Sequence, residues 1–191
     1  MFPKCKHPIR NQLKCGSCWA FSTAETWADN ACILGINGAD STTAFSTEDL
    51  LACDDFEQSG CKGGRINYAF DYVVSDGLPS EACFPYTSAN GTISKCPAEV
   101  GSGTRTCTVA GEKWNPTQCT GEPNNLFSVA LMKQGIMELG AVAAGYSVFQ
   151  DFYAYKVRRG SSRVVQRSLL LCLTSRALSL SLSLSLSLSL F

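Results

Sequence analysis

The sequence of 191 residues contains a single histidine, His7, close to its start. Histidine is the side chain that most often exchanges protons in catalysis near neutral pH, and it is a frequent zinc ligand. The one Cys-x-x-Cys pair, Cys15 and Cys18, has no second pair or pair of histidines to complete a zinc site. We therefore expect neither a metal nor another cofactor.

Basic residues are in deficit over most of the chain. Residues 1–156 contain 11 Lys and Arg against 16 Asp and Glu, and five further arginines follow without any acidic residue. An acidic body without a basic patch argues against nucleic acid as a partner. A membrane partner is not expected either, because a spanning helix needs about 20 mostly apolar residues and the carboxyl-terminal Leu-Ser stretch, Leu178–Leu190, is about half serine.

The first residues contain no secretory signal, because Met1-Phe2-Pro3 leads into Lys4-Cys5-Lys6 without an apolar core. The sequence nevertheless has 11 cysteines, more than a reducing cytosol usually tolerates. We therefore expect an oxidising compartment, a disulfide framework with at least one thiol left over, and a natural protein that continues before residue 1. The pattern Asn90-Gly91-Thr92, an acceptor for N-linked carbohydrate, agrees with a secretory route.

Apolar periodicity predicts four helices, at about Cys18–Cys32, from Ser46 onwards, at about Ile66–Val73 and at about Leu126–Leu139. Ser17 is a favourable N-cap for the first helix. Ser46 begins a capping-box pattern for the second. The helical pattern is thus strongest in the first half of the chain.

Residues 84–116 are rich in Gly, Ser, Thr, Pro and Cys without a sustained period, which predicts a loop stapled by disulfides. Strict alternation from Val142 to Val148 predicts a half-buried strand. A helical part of the chain therefore gives way to a β part.

The chain changes character after Lys156, and Leu178–Leu190 is pure Leu-Ser alternation. As protein, this would be a strand more than twice the usual length of about 5–6 residues. An uninterrupted TC dinucleotide repeat also encodes alternating Ser and Leu, and Lys156-Val157 is compatible with a splice donor. Our hypothesis is that residues 157–191 are translated noncoding sequence, with a true strand or anchor as the alternative. Sequencing the transcript across the Lys156 codon tests it, and a spliced message that encodes the tail would contradict it.

Five segments occur in a fixed order: NQLKCGSCWAFSTAE, STEDLLACD, GCKGG, CFPYTS and VAAGYSVFQDFYAYK. Together they resemble the papain-like cysteine peptidases, and most closely the cathepsin B-like branch, over about Cys5 to Lys156. The resemblance implies an α+β fold with two lobes. Residues 1–124 would form the complete helical left lobe, residues 125–156 the beginning of the β-barrel right lobe, and residues 157–191 a tail foreign to the family.

The resemblance implies that Cys18 is the nucleophile of a peptidase acting on polypeptides. Gln12 would donate to the oxyanion hole together with the backbone N–H of Cys18, where negative charge develops. A thiolate in the first turn of a helix is also stabilised by the helix dipole.

The substrate-binding residues implied by the resemblance are Gly16, Trp19, Gly63 and Gly64. The two adjacent glycines would let an extended peptide approach their backbone closely. A plain turn after Cys61 is the alternative interpretation of these glycines.

The disulfides implied by the resemblance are Cys5–Cys32 and Cys15–Cys61. Five cysteines then remain, enough for two pairs and one orphan of open connectivity: Cys53, Cys83, Cys96, Cys107 and Cys119. A redox pair of Cys15 and Cys18 is disfavoured because Cys15 has this other partner. Residues 84–114 lack histidine, so the exopeptidase loop of cathepsin B is not implied.

The catalytic histidine and asparagine of the family have no counterpart, because residues 157–191 contain neither residue type. If Cys5 is bonded to Cys32, His7 lies near the far end of the first helix, about 21 Å from Cys18. A helix terminus stabilises an anion by about 0.3–1 kcal/mol, against roughly 7 kcal/mol from a histidinium partner. We therefore expect that this chain is inactive as a peptidase, although its family is enzymatic. The expected destination is lysosome-like or extracellular. The alternative is a non-catalytic homologue that binds peptides.

Overall fold

The computed structural model describes residues 3–97, 104–121, 123–146 and 166–172. Its α-helices are α1 (Cys18–Leu34), α2 (Thr47–Cys53), α3 (Ile66–Ser75) and α4 (Val129–Leu139). Its strands are β1 (Pro123–Asn125), β2 (Ala143–Tyr146) and β3 (Gln166–Cys172). Short 3-10 turns span Pro3–Cys5, Ile36–Gly38, Gly60–Lys62 and Ser88–Asn90. Helices and a small sheet together give the α+β class that we predicted.

Helix α1 is the centre of the helical lobe, and its inner face is rich in alanine. The buried residues of this face include Trp19, Ala20, Ala24, Trp27, Ala28 and Ala31. Small side chains let α2 and α3 pack closely against α1. The helix runs two residues past the predicted end at Cys32, to Leu34, because Gly35 at φ 65° closes it there.

Serine caps set the beginnings of α2 and α4. The Oγ of Ser46 accepts a hydrogen bond from the N–H three residues on, at 3.0 Å, which confirms the predicted cap. The Oγ of Ser128 accepts from the N–H of Leu131 at 3.2 Å. Helix α4 therefore begins at Val129 and not at Leu126, because the cap decides the start and apolar periodicity does not register it.

Disulfide bonds connect the helices to the loops: Cys5–Cys32, Cys15–Cys61, Cys53–Cys96 and Cys83–Cys107. The first two are the pairs that the resemblance implied. The last two reach into residues 84–116, so the predicted loop is stapled as expected. Cys119 is also disulfide-bonded, so the expectation of an orphan among the remaining five cysteines is wrong.

The strands form one antiparallel sheet in the order β1-β3-β2. Pro123 pairs with Cys172, and Ala143 pairs with Leu170. The predicted strand at Val142–Val148 is confirmed as far as Tyr146, and its last two residues lie outside the described residues. Within the described residues, β1 and β3 are additional to the predicted strand, and β3 lies in the segment that we assign to the tail. The Leu-Ser repeat itself lies outside the described residues.

Asn30 joins the helical lobe to the sheet. Its side-chain nitrogen donates to the backbone oxygen of Ala141 at 3.1 Å, and its Oδ1 accepts from the N–H of Ala141 at 2.9 Å. Asn30 is fully buried in α1 and holds the chain just before β2. No helix within the described ranges is long and apolar enough to cross a bilayer.

Helix α2 carries two adjacent carboxyl groups, Glu48 and Asp49, that are both fully buried. Burial by itself would raise the pKa of Glu48. Hydrogen bonds from Ser88, Thr87 and Ser94 outweigh burial and hold the pKa of Glu48 below its ordinary value. The stability that Glu48 contributes is complete above its ordinary pKa and is lost as the pH falls through the lowered one.

Asp49 shows the opposite shift, because burial raises its pKa to about 7. The nearby Arg105 lowers this pKa in part, as does the hydrogen bond that the Tyr72 hydroxyl donates at 3.1 Å, whereas Asp76 and Asp54 add negative charge and raise it. The folded chain therefore retains a proton that an unfolded chain releases near pH 4. Asp49 consequently destabilises the fold as the pH rises from about 4 to about 7.

We predict that Asp49→Asn makes the fall in unfolding free energy between about pH 4 and pH 7 shallower, by a few kcal/mol at most. Asparagine retains an acceptor for the Tyr72 hydroxyl but has no proton to lose. Urea unfolding at a series of pH values measures the effect. The matched control is Asp55→Asn, which changes an exposed neighbour. Equal pH dependence of Asp49→Asn and the unsubstituted chain would contradict the prediction.

Candidate active site

Cys18 is the first residue of α1, and its thiol is exposed. It is the only free cysteine among the residues that the structure describes. The neighbouring Cys15 is bonded to Cys61, so the redox pair of Cys15 and Cys18 does not form here. An exposed thiol at the first residue of a helix lies at the positive end of the helix dipole.

Ser17 occupies the N-cap position of α1, but its hydroxyl does not cap the helix. The Oγ of Ser17 lies 3.3 Å from the hydroxyl oxygen of Tyr86 and 3.4 Å from the backbone oxygen of Cys15. The predicted cap is therefore wrong, because φ −101° and ψ 19° at Ser17 are not the extended conformation of a capping residue. No described group binds the backbone N–H of Cys18, which stays open to a ligand.

Gln12 lies across the turn that leads to Cys18. Its Nε2 donates to the backbone oxygen of Cys15 at 3.0 Å, and the N–H of Cys15 donates to the backbone oxygen of Gln12 at 3.4 Å. An amide nitrogen carries two hydrogens, so one N–H of the Gln12 side chain remains for another acceptor. The geometry thus brings a side-chain donor to the turn that precedes Cys18.

Tyr86 connects the Gln12 segment to the start of α1. Its hydroxyl donates to the backbone oxygen of Gln12 at 2.7 Å and contacts Ser17. Its ring packs edge to face on Phe21 at 4.9 Å between centroids, and the Arg10 guanidinium lies 4.9 Å from the centroid of the Phe21 ring. No sequence pattern points to Tyr86 or Arg10, although Tyr86 lies in the CFPYTS segment, because their roles depend on contacts distant in sequence.

Gly16 and Trp19 are both held against the Gly60–Lys62 turn. The N–H of Gly16 donates to the backbone oxygen of Cys61 at 2.9 Å, and the indole N–H of Trp19 donates to that of Gly60 at 3.1 Å. A Cβ at Gly16 would lie 2.5 Å from the Cys61 oxygen, so only glycine fits. Their binding of substrate stays a prediction, since the contacts found are within the chain.

Gly63 and Gly64 differ in what their backbones do. Gly63, at φ 116°, donates its N–H to Gly60 at 3.3 Å and accepts from the N–H of Ser59 at 3.0 Å. Neither the N–H nor the C=O of Gly64 makes a hydrogen bond to any residue in the described ranges. A Cβ at Gly64 would lie 2.5 Å from Cδ2 of Trp19. Gly64 therefore offers the free backbone donor and acceptor that an extended peptide requires.

His7 is far from Cys18, and both of its ring nitrogens are in use. Its Nδ1 lies 2.5 Å from Oδ1 of Asp29, and its Nε2 lies 2.9 Å from the backbone oxygen of Asp40. Asp29 follows Cys18 by eleven residues on α1, which corresponds to about 16 Å along the helix. His7 therefore cannot receive the proton of the Cys18 thiol in this arrangement.

A depression of about 470 Å³ lies beside Gln12, between the segment that contains His7 and the outer face of α1. Burial raises the pKa of Glu25 on this face, although Arg10 forms an ion pair with it at 3.2 Å. Cys18 does not line the depression. In the part of the chain that the structure describes, no three His, Cys, Asp or Glu residues are grouped to hold a metal ion.

Comparison with known families gives one extended match. A family model described as papain family cysteine protease matches residues 3–167 of this chain. The match continues past Lys156, the boundary that we predicted for the foreign tail, and ends in β3.

Individual relatives are similar over most of this chain. Cathepsin B of Dictyostelium discoideum is 30% identical over 155 residues, covering 78% of this chain and 48% of that protein. Cathepsin B-like cysteine proteinase 4 of Caenorhabditis elegans is 33% identical over 187 residues, covering 81% and 52%. The chain thus spans about half the length of these relatives.

A solved structure, procathepsin B S9 from Trypanosoma congolense, superimposes with a TM-score of 0.67 at 28% identity. The superposition covers 85% of this chain and 55% of that one. The similarity therefore extends from sequence to three-dimensional structure.

We predict that Gly64→Ala destabilises the fold by about 1–3 kcal/mol, because the added methyl group would overlap the Trp19 ring and the side-chain oxygen of Gln58. Thermal or denaturant unfolding measures the change. The control is Gly145→Ala, where the new Cβ would meet nothing within 4 Å. An equal loss of stability in both variants would show that the close approach to Trp19 is not the cause.

Proposed function

The chain belongs to the papain family of cysteine proteases, and we propose that Cys18, Gln12 and Gly64 form the nucleophile-bearing wall of a peptidase cleft. The observation that carries the proposal is the exposed, unbonded thiol of Cys18 at the start of a helix whose first N–H is also open. The nearby Cys15, by contrast, is tied to Cys61 in a disulfide. The chain therefore leaves one sulfur free where a nucleophile is needed.

The proposed reaction is attack of the Cys18 thiolate on the carbonyl carbon of a peptide bond. The backbone N–H of Cys18 and the spare side-chain N–H of Gln12 would stabilise the oxygen anion that forms. Tyr86 would keep Gln12 in register with the nucleophile, because it holds the backbone of Gln12 and the hydroxyl of Ser17 together. In this scheme Tyr86 is a positioning residue and does not touch the substrate.

The substrates that we propose are polypeptides bound in extended form. The free N–H and C=O of Gly64 suit pairing with a peptide backbone, and Trp19 and Gly16 keep the adjoining wall in place. Nucleic acid is not proposed as a partner, because residues 1–156 carry 16 acidic against 11 basic residues. The disulfides favour an oxidising route to a lysosome-like or extracellular destination.

We also propose that the 191-residue chain by itself does not hydrolyse peptides. General acid and base catalysis needs a group within hydrogen-bond reach of the nucleophile and the leaving nitrogen, and His7 is bound to Asp29 and Asp40 instead. Residues 157–191 contain no histidine or asparagine. Cys18 and Gln12 are then half of a catalytic apparatus.

The division of the chain stays part of this proposal. We assign residues 1–124 to the helical left lobe and residues 125–156 to the beginning of the right lobe. Strand β1 reaches across this boundary and pairs with β3, which lies in residues 157–191. The transcript sequence across the Lys156 codon tests whether β3 is encoded by the spliced message or by noncoding sequence.

We predict no turnover of a fluorogenic dipeptide substrate by the purified 191-residue chain at acidic or neutral pH. The physical reason is that the single histidine, His7, is held by Asp29 and Asp40 and does not reach Cys18. The measurement compares the chain with its Cys18→Ser variant, which lacks the nucleophile. Turnover by the chain that disappears in Cys18→Ser would overturn the proposal of inactivity and would establish Cys18 as catalytic.

Alkylation by iodoacetamide without reductant tests the site itself. We predict that Cys18 is labelled in the native chain, whereas the disulfide-bonded Cys15 is labelled only after reduction, as peptide mapping by mass spectrometry would show. His7→Ala should leave the rate of Cys18 labelling unchanged, because His7 does not reach the thiol. A clearly slower rate in His7→Ala would place His7 in the activation of Cys18.

A non-catalytic peptide-binding protein is the second candidate function, favoured by the free backbone groups of Gly64. In that case peptide binding is unchanged in Cys18→Ser. The full-length protein then also lacks the catalytic histidine. A complete transcript that encodes the catalytic histidine and asparagine would exclude this candidate.

A further inference from the structure

The segment Asn90-Gly91-Thr92 is the only Asn-x-Ser/Thr pattern of the sequence with a residue other than proline in the middle. The second such triplet, Asn115-Pro116-Thr117, has the proline that blocks glycosylation. We propose that Asn90 carries an N-linked oligosaccharide at the edge of the proposed peptidase cleft. The inference rests on the secretory route of the proposed function.

The conformation of the segment suits an acceptor site. Asn90 ends the Ser88–Asn90 turn, and Gly91 follows in the left-handed region at φ 91°. Asn90, Gly91 and Thr92 are all exposed. The Oδ1 of Asn90 accepts from the N–H of Thr92 at 2.8 Å, whereas its Nδ2 donates to no residue that the structure describes. The nitrogen that would bear the carbohydrate is therefore free and accessible.

Hydrogen bonds to the buried side chain of Glu48 hold the Ser88–Asn90 turn in place. Glu48 accepts from the N–H of Ser88 at 3.1 Å, from its hydroxyl at 2.7 Å, and from the hydroxyl of Ser94 at 2.8 Å. Asn90 lies between these two serines and takes no part in the network. A carbohydrate on Asn90 would thus leave the buried contacts intact.

The Ser88–Asn90 turn also lies beside both segments of the proposed cleft wall, the one that leads to Cys18 and the one that contains Gly64. The backbone oxygen of Ala89 accepts from the N–H of Lys14 at 3.0 Å, four residues before Cys18. Ile93 packs directly on Gly60, in the turn that precedes Gly64. An oligosaccharide on Asn90 would therefore extend from the edge of the wall that carries the nucleophile.

The covalent step uses an oligosaccharide linked to a polyprenyl pyrophosphate, which the secretory compartment supplies with its transferase. The Nδ2 of Asn90 attacks the anomeric carbon, so a C–N bond forms and the C–O bond to the pyrophosphate breaks. Polyprenyl pyrophosphate leaves, and the amide nitrogen loses one proton to the transferase. No oxidation or reduction takes place.

Cell-free translation of the full chain behind a secretory leader, in the presence of microsomes, tests the inference. We expect the protease-protected chain to be larger than the chain translated without microsomes. Peptide N-glycosidase should reduce its size, because this enzyme removes the oligosaccharide and converts the modified Asn90 to aspartate. Asn90→Gln and Thr92→Ala should abolish the shift, whereas Thr92→Ser and the matched control Asn115→Gln should retain it.

A protease-protected chain without carbohydrate would overturn the inference, and so would carbohydrate that persists in Asn90→Gln. Protection from protease establishes entry into the compartment independently of folding, so each result decides the question. Failure here is distinguishable from failure of the proposed function, because neither Asn90 nor Thr92 takes part in the chemistry of Cys18.

Discussion

The attachment of the first turn of α1 to the Gly60–Lys62 turn is the constraint on which the rest of the site depends. One covalent bond, Cys15–Cys61, and two hydrogen bonds, from Gly16 and from the indole of Trp19, join the two segments. The disulfide reduces the number of conformations that the unfolded chain can adopt, and the hydrogen bonds fix one orientation of the two segments. Cys18 and Gly64 are thereby held on one wall although 46 residues separate them in sequence.

Two adjacent carboxyl groups on α2 give the stability of the fold opposite responses to pH. Glu48 and Asp49 are adjacent on α2, yet hydrogen bonds lower the pKa of one and burial raises that of the other. Glu48 loses its stabilising effect at low pH, and Asp49 begins to destabilise the fold as the pH rises. The two effects together favour a folded state in mildly acidic solution, which is consistent with the lysosome-like destination that we propose.

The elements that the sequence predicted well are those with local signals. The start of α1 at Cys18, the cap at Ser46 and the stapled loop all follow from short-range patterns, which act within a few residues of the chain. The predictions that differed depend on partners elsewhere. Ser17 was expected to cap α1 but its hydroxyl turns to Tyr86, and β3 lies in a segment whose composition gave no reason to expect pairing.

The sequence by itself determined the family, the nucleophile candidate and the lack of any histidine beyond His7, because motifs and residue types are read directly from the order of amino acids. Only the tertiary structure decided that Gly64, unlike Gly63, makes no backbone hydrogen bond to any residue that the structure describes. It alone also decided that Tyr86 holds Gln12 to the start of α1 and that both nitrogens of His7 are already occupied. These properties are hydrogen bonds between residues far apart in the chain. Their partners are chosen by packing, which no local pattern encodes.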